Sequence, residues 1–304
     1  MTEFPSFRIA HLSDVHLPPP AHIPASRLFN KRALSVVSWR RNRRFHHRPE
    51  TLTRIVTDIA AQKPDLIAVS GDLTNFGLPD EYRAAADWLS ALPAPACAIM
   101  GNHDMMTSLP WDDGPALWAR WMADGADSFP TVTRHGAVAV IGVNSGVPSP
   151  PTFATGRVGA PQARALRDRL RALGKDGVAR IVMIHHPPVR GLVAGRKALT
   201  DMALFQRAVA EGGAELVLHG HSHKTTRGFI PGTTIPVQGI ASASYDPGRR
   251  AFDPVRAAGW NRIDVRHSTL GWSVTIETRA FDGRGTIGPA DAYRIERPGL
   301  IETR

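Results

Sequence analysis

Phe7-Arg8-Ile9-Ala10-His11-Leu12-Ser13-Asp14-Val15-His16 runs from an apolar stretch directly into a carboxylate and an imidazole two positions apart. The same design recurs along the chain. Leu66-Ile67-Ala68-Val69 precedes Ser70-Gly71-Asp72, Cys97-Ala98-Ile99-Met100 precedes Gly101-Asn102-His103-Asp104, and Ile181-Val182-Met183-Ile184 precedes His185-His186. Glu215-Leu216-Val217-Leu218 leads in turn to Gly220-His221-Ser222-His223. Short apolar runs flanked by Gly or Pro read as buried strands, so each polar cluster sits at a strand's C-terminal end. In open α/β sheets that edge gathers the ligand-binding loops. A lone Gly-Asp or a single strand-end His carries little meaning. Five such clusters in one structural context do, and they offer carboxylate, imidazole and amide donors for metal ions.

Helical spacing fills the intervals. Leu52, Ile55, Val56 and Ile59 share one face within residues 50–62, and residues 80–92, 161–173 and 201–211 read the same way. Strands alternating with helices predict an α/β architecture.

The order and spacing of the clusters resemble the calcineurin-like metallophosphoesterase family, whose pattern is D-x-H, G-D, G-N-H-[DE], H and G-H-x-H. The resemblance spans residues 7–280. It implies a four-layer αββα sandwich of two mixed sheets, with a dinuclear metal site at strand C-terminal ends. Carried over residue by residue, Asp14, His16 and His223 hold a first metal, Asn102, His185 and His221 a second, and Asp72 bridges both. His103 is then a catalytic residue beside the metals, with Asp104 holding its ring by a hydrogen bond. Alternating segments such as Trp260-Asn261-Arg262-Ile263-Asp264-Val265 and Trp272-Ser273-Val274-Thr275-Ile276-Glu277 are expected as antiparallel strands finishing the second sheet, with 281–304 as a C-terminal tail whose last twenty residues read as a surface strand or tail.

The donor types suit Mn, Fe, Zn, Co or Ni as divalent or trivalent ions, with Mn or Fe/Mn favoured, and the absence of thiolates argues against structural zinc or an iron-sulfur cluster. Two metals about 3.5–4 Å apart can hold a bridging water and acidify it to hydroxide near neutral pH. That hydroxide is the expected nucleophile for in-line attack on phosphorus, aided by a protonated His103 and without a covalent intermediate. Cys97, the one cysteine, lies inside an apolar run and reads as a buried structural thiol.

A hydrophobic content of 42% over 304 residues supports a sizeable core. The opening Met1-Thr2-Glu3-Phe4-Pro5 shows no leader pattern, and nowhere are there the roughly 18 uninterrupted apolar residues of a membrane span. With a single cysteine, the expectation is a cytoplasmic protein.

The formal charge is +10, yet only five of the 37 basic residues are lysines. A dense block comprises Arg27, Lys31, Arg32, Arg40, Arg41, Arg43, Arg44 and Arg48, interleaved with Leu28, Phe29, Leu34, Val36, Val37, Trp39 and Phe45. Residues 17–48 thus read as a basic amphipathic insertion beside the site. Three roles compete: a solvated helix docked on the domain, a lid in which Arg40, Arg41 and Arg44 grip phosphate or a lipid-linked substrate, and a nucleic-acid surface, ranked last. A basic helix with embedded aromatics also suits peripheral contact with an anionic membrane surface through 27–48, at the inner face of the membrane.

Asn30-Lys31-Arg32 and Trp39-Arg40-Arg41-Asn42-Arg43-Arg44-Phe45-His46 resemble a basic segment in bacterial UDP-2,3-diacylglucosamine pyrophosphohydrolase-like members. Leu12-Ser13-Asp14-Val15-His16-Leu17 and Ser70-Gly71-Asp72-Leu73-Thr74-Asn75 are equally similar to class III cyclic-nucleotide phosphodiesterases. Both resemblances imply a metal-dependent hydrolase of a phosphodiester or pyrophosphate bond, acting on a cyclic nucleotide or a UDP-diacylglucosamine-type lipid precursor. Alternatives are a phosphomonoesterase or nuclease of the same fold, or a non-catalytic metal-binding scaffold. Asn75 and His186 fall near the metals and are expected to touch substrate. Trp118, Trp121 and Met122 share a helical face after Pro115 and are expected in the core rather than as a substrate wall.

Overall fold

In the computed structural model, β1 (Phe7–Leu12) is flanked by β2 (Leu66–Val69) in parallel and by β10 (Gly259–Ser268) in antiparallel pairing. A central strand covered on both faces must be apolar along its length, and residues 9–12 are all buried. The structure describes residues 6–28, 30–246, 248, 252–268 and 271–298. β3 (Ala96–Ala98) continues the sheet beyond β2, and β11 (Gly271–Phe281) and β12 (Ile287–Pro298) continue it beyond β10. The order is β12-β11-β10-β1-β2-β3.

The second sheet comprises β4 (Thr131–His135), β5 (Val138–Val143), β6 (Ala179–Ile184), β7 (Leu216–His219), β8 (Thr226–Phe229) and β9 (Pro236–Gly239). Its order is β4-β5-β6-β7-β9-β8, with β5, β6, β7 and β9 parallel. Period-two alternation sorts its residues. Val140, Ile181, Met183 and Leu218 pack toward the first sheet, whereas Ile141, Val182, Ile184 and Val217 pack with α4 (Ala160–Lys175) and α5 (Met202–Gly212). On the other side, α2 (Pro49–Ala61) and α3 (Pro79–Ser90) bury Leu52, Ile55, Ile59, Tyr82 and Leu89 in the same core as the first sheet. These are the four layers that the family resemblance implies.

One expectation is corrected and one alternative is resolved. The alternating segments after residue 235 that contain Trp260 and Trp272 join the first sheet, not the second, because β1 has an edge away from β2 whose backbone groups need partners, and β10 supplies them with Ile9 opposite Ile263. Over the last twenty residues, expected as a surface strand or tail, the strand is what forms: β12 pairs with β11 along its length. Residues 299–304 and Phe29 lie outside the described residues.

The insertion folds as α1 (Arg32–Arg41) followed by a short 3₁₀ turn at Arg43–Phe45. Arg32 is buried and donates from Nε to the Phe76 carbonyl and from Nη2 to that of Gly77, each at 2.8 Å, while Val36 packs on Phe76 and Leu78. Arg32 is therefore an anchor of the insertion and not a phosphate grip. Trp118 is fully buried and donates its indole N–H to the Tyr82 carbonyl, and Trp121 and Met122 are also buried, as expected of core residues. No helix among the described residues is long and apolar enough to cross a membrane.

Candidate metal centre

The loops leaving β1, β2, β3, β6 and β7 converge at one end of the two sheets. Asp14 N–H donates to Gly71 O and His16 N–H to Asp72 O, each at 3.0 Å, so the first two loops are zipped together beyond their strands. Gly220 N–H donates to His185 O at 3.1 Å in the second sheet, and His221 N–H crosses to Asp14 Oδ2 at 2.9 Å. Asp14, His16, Asp72, His221 and His223 all adopt positive φ, between 41° and 65°. Left-handed backbone is costly for such residues and marks places where the surroundings dictate side-chain aim.

Two glycines explain the tightness. A Cβ on Gly220 would lie 1.8 Å from Ser13 Oγ and 2.6 Å from Asp14 Oδ2, and one on Gly101 would lie 2.2 Å from Asp72 Oδ1. Only glycine lets these loops approach the carboxylates.

Each carboxylate has one oxygen pinned and one presented. Asp72 Oδ1 accepts from His103 N–H at 2.8 Å, leaving Oδ2 at 3.4 Å from His185 Nε2 and 4.0 Å from His16 Nε2. Asp14 Oδ2 is held by His221 N–H, while the buried Oδ1 forms no hydrogen bond although His223 Nε2 stands 3.1 Å away. Asn102 Oδ1 lies 3.3 Å from His185 Nε2. Ligands bonded at about 2.1 Å to one ion stand about 3.0–4.2 Å apart, so these separations fit donors around shared ions. The donor atoms of Asp14, His16, Asp72 and His223 lie within 4.8 Å of one another, as do those of Asp72, His185 and His221. Asp72 belongs to both groups.

The charges suit cations. Burial alone would raise Asp72, but His185 and His103 beside it pull it down to about 2; Asp14, likewise buried, is held well below its ordinary value by His223 and His185. His185 is opposed by burial yet raised to about 9 by Asp72. Ring orientation is set from behind: His16 Nδ1 donates to Thr74 O at 3.2 Å and His185 Nδ1 to Ser70 O at 2.7 Å, which frees both Nε2 atoms. His221 instead donates from Nε2 to Lys197 O at 2.9 Å, leaving Nδ1 for a metal.

His103 is half-buried at the rim, and its Nδ1 donates to Asn75 O at 2.8 Å. One expectation about it is corrected. Asp104 does not hold this ring: its carboxylate accepts from Asp72 N, Gly101 N, Thr74 N and Thr74 Oγ1 at 2.8–2.9 Å, tying the second and third loops together. In the metal-free chain, burial and then the Arg43 guanidinium push the ring down to about 3; the protonated form expected during catalysis belongs to the metal-loaded site. Cys97 is buried and its thiol is pushed up to about 12 by that burial, which removes it as a nucleophile.

A cavity of about 300 Å³ opens over the cluster. Lys31, Arg43, Arg196 and Lys197 line it together with His103 and His221. Arg40 and Arg44 do not: they border a separate cavity with Trp39 and Phe76, and Arg41 lines neither. The reason is that α1 ends at Arg41, and Asn42 turns the chain so that Arg43 swings to within 3.1 Å of His16 Nδ1. Asn at a helix end is a stop signal that sequence reading can weigh; Arg196 and Lys197 belong to no motif. Asn75 and His186 are also displaced from the expected substrate role. Both are fully buried; Asn75 Nδ2 donates to Leu17 O and His186 Nδ1 meets Ser145 Oγ at 2.8 Å. His47, at the end of the insertion, places its ring 4.5 Å from that of His16.

Residues 7–225 match the calcineurin-like phosphoesterase family, and the chain belongs to it. Members are metal-dependent phosphoric ester hydrolases that use two transition-metal ions. The chain is 31% identical over 227 residues to a probable cyclic nucleotide phosphodiesterase of Synechococcus sp., a match covering 68% of this chain and 74% of that protein. It is 28% identical to a probable cyclic nucleotide phosphodiesterase of Rhodococcus erythropolis over 97% of this chain and 92% of that one. Among solved structures it is similar in fold to a dimetal phosphatase from Danio rerio, with a TM-score of 0.63 at 12% identity, covering 95% of this chain and 98% of the other.

Proposed function

We propose that the chain hydrolyses a phosphodiester bond, with cyclic nucleotides as the substrate class. In this reading Asp14, His16 and His223 hold one transition-metal ion, Asn102, His185 and His221 the other, and Asp72 both, with Mn or Fe/Mn the favoured ions. The observation that carries it is the cavity of about 300 Å³, floored by ligand residues and walled by Lys31, Arg43, Arg196 and Lys197. That volume suits a nucleotide-sized anion and is at the small end of ligand sites, too small to enclose two acyl chains. The names of the Synechococcus and Rhodococcus relatives, both probable cyclic nucleotide phosphodiesterases, support the same class.

When bound, the two ions supply Lewis acidity that neutralises phosphoryl charge and acidifies water. The chain's own residues do the rest. Arg43 places Nη2 at 3.1 and 3.3 Å from the two His16 ring nitrogens and Nη1 at 3.4 Å from His103 Nδ1; since both Nδ1–H groups are given to backbone carbonyls and His16 Nε2 would serve as a ligand, its guanidinium would turn its donors to phosphoryl oxygens. The Lys31 ammonium is fixed by Ser149 Oγ at 2.7 Å and Phe153 O at 2.5 Å, bringing a second cation over the anion. His103, with its proton on Nδ1, presents Nε2 to take a proton from the attacking water and pass it to solvent, while the leaving alkoxide, on the opposite side of phosphorus, takes its proton from a solvent water.

A second reading, hydrolysis of a lipid-linked pyrophosphate at a membrane face, is favoured by the insertion's outer surface. Val37 and Phe45 are 47% and 50% exposed there, next to exposed Arg40, Arg41 and Arg44, while Leu34, also exposed, lines the cavity. That mixture suits an anionic lipid surface. Either reading is consistent with a cytoplasmic location. Steady-state hydrolysis of cyclic AMP, UDP-2,3-diacylglucosamine in detergent and an aryl phosphate monoester by the Mn-loaded protein, with Asp72→Ala as control, separates them. Preference for cyclic AMP supports the first reading, and preference for the lipid nucleotide the second. Preference for the monoester makes the protein a phosphomonoesterase, and no activity above the control overturns both readings in favour of another phosphoester, such as a nucleic acid, or of a scaffold.

A further inference from the structure

We propose that His47 is an additional ligand of the first metal ion, forming an imidazole triad with His16 and His223. This rests on the two-metal reading of the site and extends it into the insertion. The donor atoms of His16, His47 and His223 lie within 4.8 Å of one another, in a group separate from that of Asp14, His16, Asp72 and His223, so His47 borders the first site on its His16–His223 side and its ring must turn inward to share that ion with Asp14 and Asp72. Their ring centres are separated by 4.5 Å (His16 to His47), 5.3 Å (His16 to His223) and 5.7 Å (His47 to His223). Imidazoles bonded at about 2.1 Å to a common ion hold their ring centres about 3.2 Å from it, so rings at ordinary ligand angles stand about 4.5–5.7 Å apart.

Spacing alone does not single out a ligand, since the His103 ring is also 5.0 Å from that of His16. Two features set His47 apart. Its Nδ1 meets Ser244 Oγ at 2.8 Å, and that hydroxyl lies within 3.5 Å of the Asp14 carbonyl, an acceptor for its proton. In the tautomer that gives Nδ1–H to Ser244 the ring keeps its Nε2 lone pair, and Nε2 has no hydrogen-bond partner among the described residues. This is the arrangement that His16 and His185 achieve with backbone carbonyls. The backbone is also held in place. His47 bridges Tyr245, Arg48 N–H donates to Ser244 O at 2.8 Å, and Asp246 N–H donates to His46 O at 2.7 Å. The side chain is only 7% exposed and stacks on Trp39. The first site would then have one more protein ligand than the second, which predicts a metal pair of unequal affinity.

Cobalt titration of the chelator-stripped full chain, followed by calorimetry and by the visible absorption of bound Co²⁺, tests this without reference to turnover. Wild type is expected to take up two ions in sequence. In His47→Gln and His47→Ala the tighter ion is expected to bind at least about 10-fold more weakly with an altered spectrum, while the weaker ion binds as before. Unchanged affinities and spectra in these variants overturn the proposal alone. A wild-type chain that binds no cobalt overturns it together with the two-metal reading. If the His47 variants fail to fold, as judged by the Tm of the metal-free protein, Ser244→Ala replaces them. That substitution keeps the ring but releases Nδ1, and a spectrum identical to wild type then overturns the assignment.

Discussion

The Nδ1–H of His103 donates to the backbone carbonyl of Asn75 at 2.8 Å. This one bond sets the tautomer of the ring and leaves Nε2 at the cavity that Arg43 and His221 also line. A ring so oriented exchanges protons without holding a metal. His103→Ala should therefore lower kcat about 10²–10⁴-fold while both metal affinities stay near wild type, as read by steady-state kinetics beside metal titration. Loss of metal in this variant would make His103 a ligand instead.

Asp104 spends its carboxylate on Asp72 N, Gly101 N and both groups of Thr74. Asp104→Asn places an NH₂ group against one of those donors. It should cost about 2–3 kcal/mol of stability and weaken Mn²⁺ binding about 10–100-fold, while kcat at saturating Mn²⁺ changes far less. A large fall in kcat with metal affinity intact would return Asp104 to a direct catalytic role.

Gly101→Ala puts a methyl group 2.2 Å from Asp72 Oδ1 and 2.6 Å from Asp72 N. Backbone must move to accept it, at a cost of about 1–3 kcal/mol. The expected result is a folded chain that no longer retains metal through dialysis, measured as metal content per chain. Wild-type metal content would mean that the loops are less tightly coupled than their geometry implies.

Glu81 titrates away from the ligands. It is buried at the start of α3, where it accepts N–H bonds from Asn75, Phe76 and Leu78, yet burial outweighs those donors and raises it from 4.5 to about 7. The folded chain thus binds this proton more tightly than the unfolded one. Its contribution is full below pH 4.5 and is lost as pH rises through about 7, a swing of about 3 kcal/mol. Urea denaturation of the metal-free protein across that window should show the decline, and Glu81→Gln, although less stable throughout, should flatten it. An equal slope in the variant would assign the dependence to another group.

The strand-end clusters were legible because each ligand lies within a few residues of its own strand, so local pattern and site geometry coincide. Leu12 to Asp14 or Leu218 to His221 is a distance that sequence spacing controls. The pairing of β1 with β10 was not legible, since Ile9 meets Ile263 across most of the chain and many alternating segments compete for one open edge. In the insertion, the choice among Arg40, Arg41, Arg43 and Arg44 depends on where α1 stops. One turn of backbone at Asn42 sends Arg43 to the cavity and Arg44 away from it. Asp104 was misassigned because adjacency to His103 in sequence suggested contact, whereas successive residues in a tight turn aim in different directions.

Cyclic AMP hydrolysis by the chelator-stripped protein, measured as Mn²⁺ is added back in equivalents per chain, bears most directly on the dinuclear phosphodiesterase. Activity should be absent without metal, rise to a plateau as the second ion binds, and stay absent in Asp72→Ala, whose missing carboxylate belongs to both donor groups. Hydrolysis that persists in the stripped protein, or that survives Asp72→Ala, would contradict it.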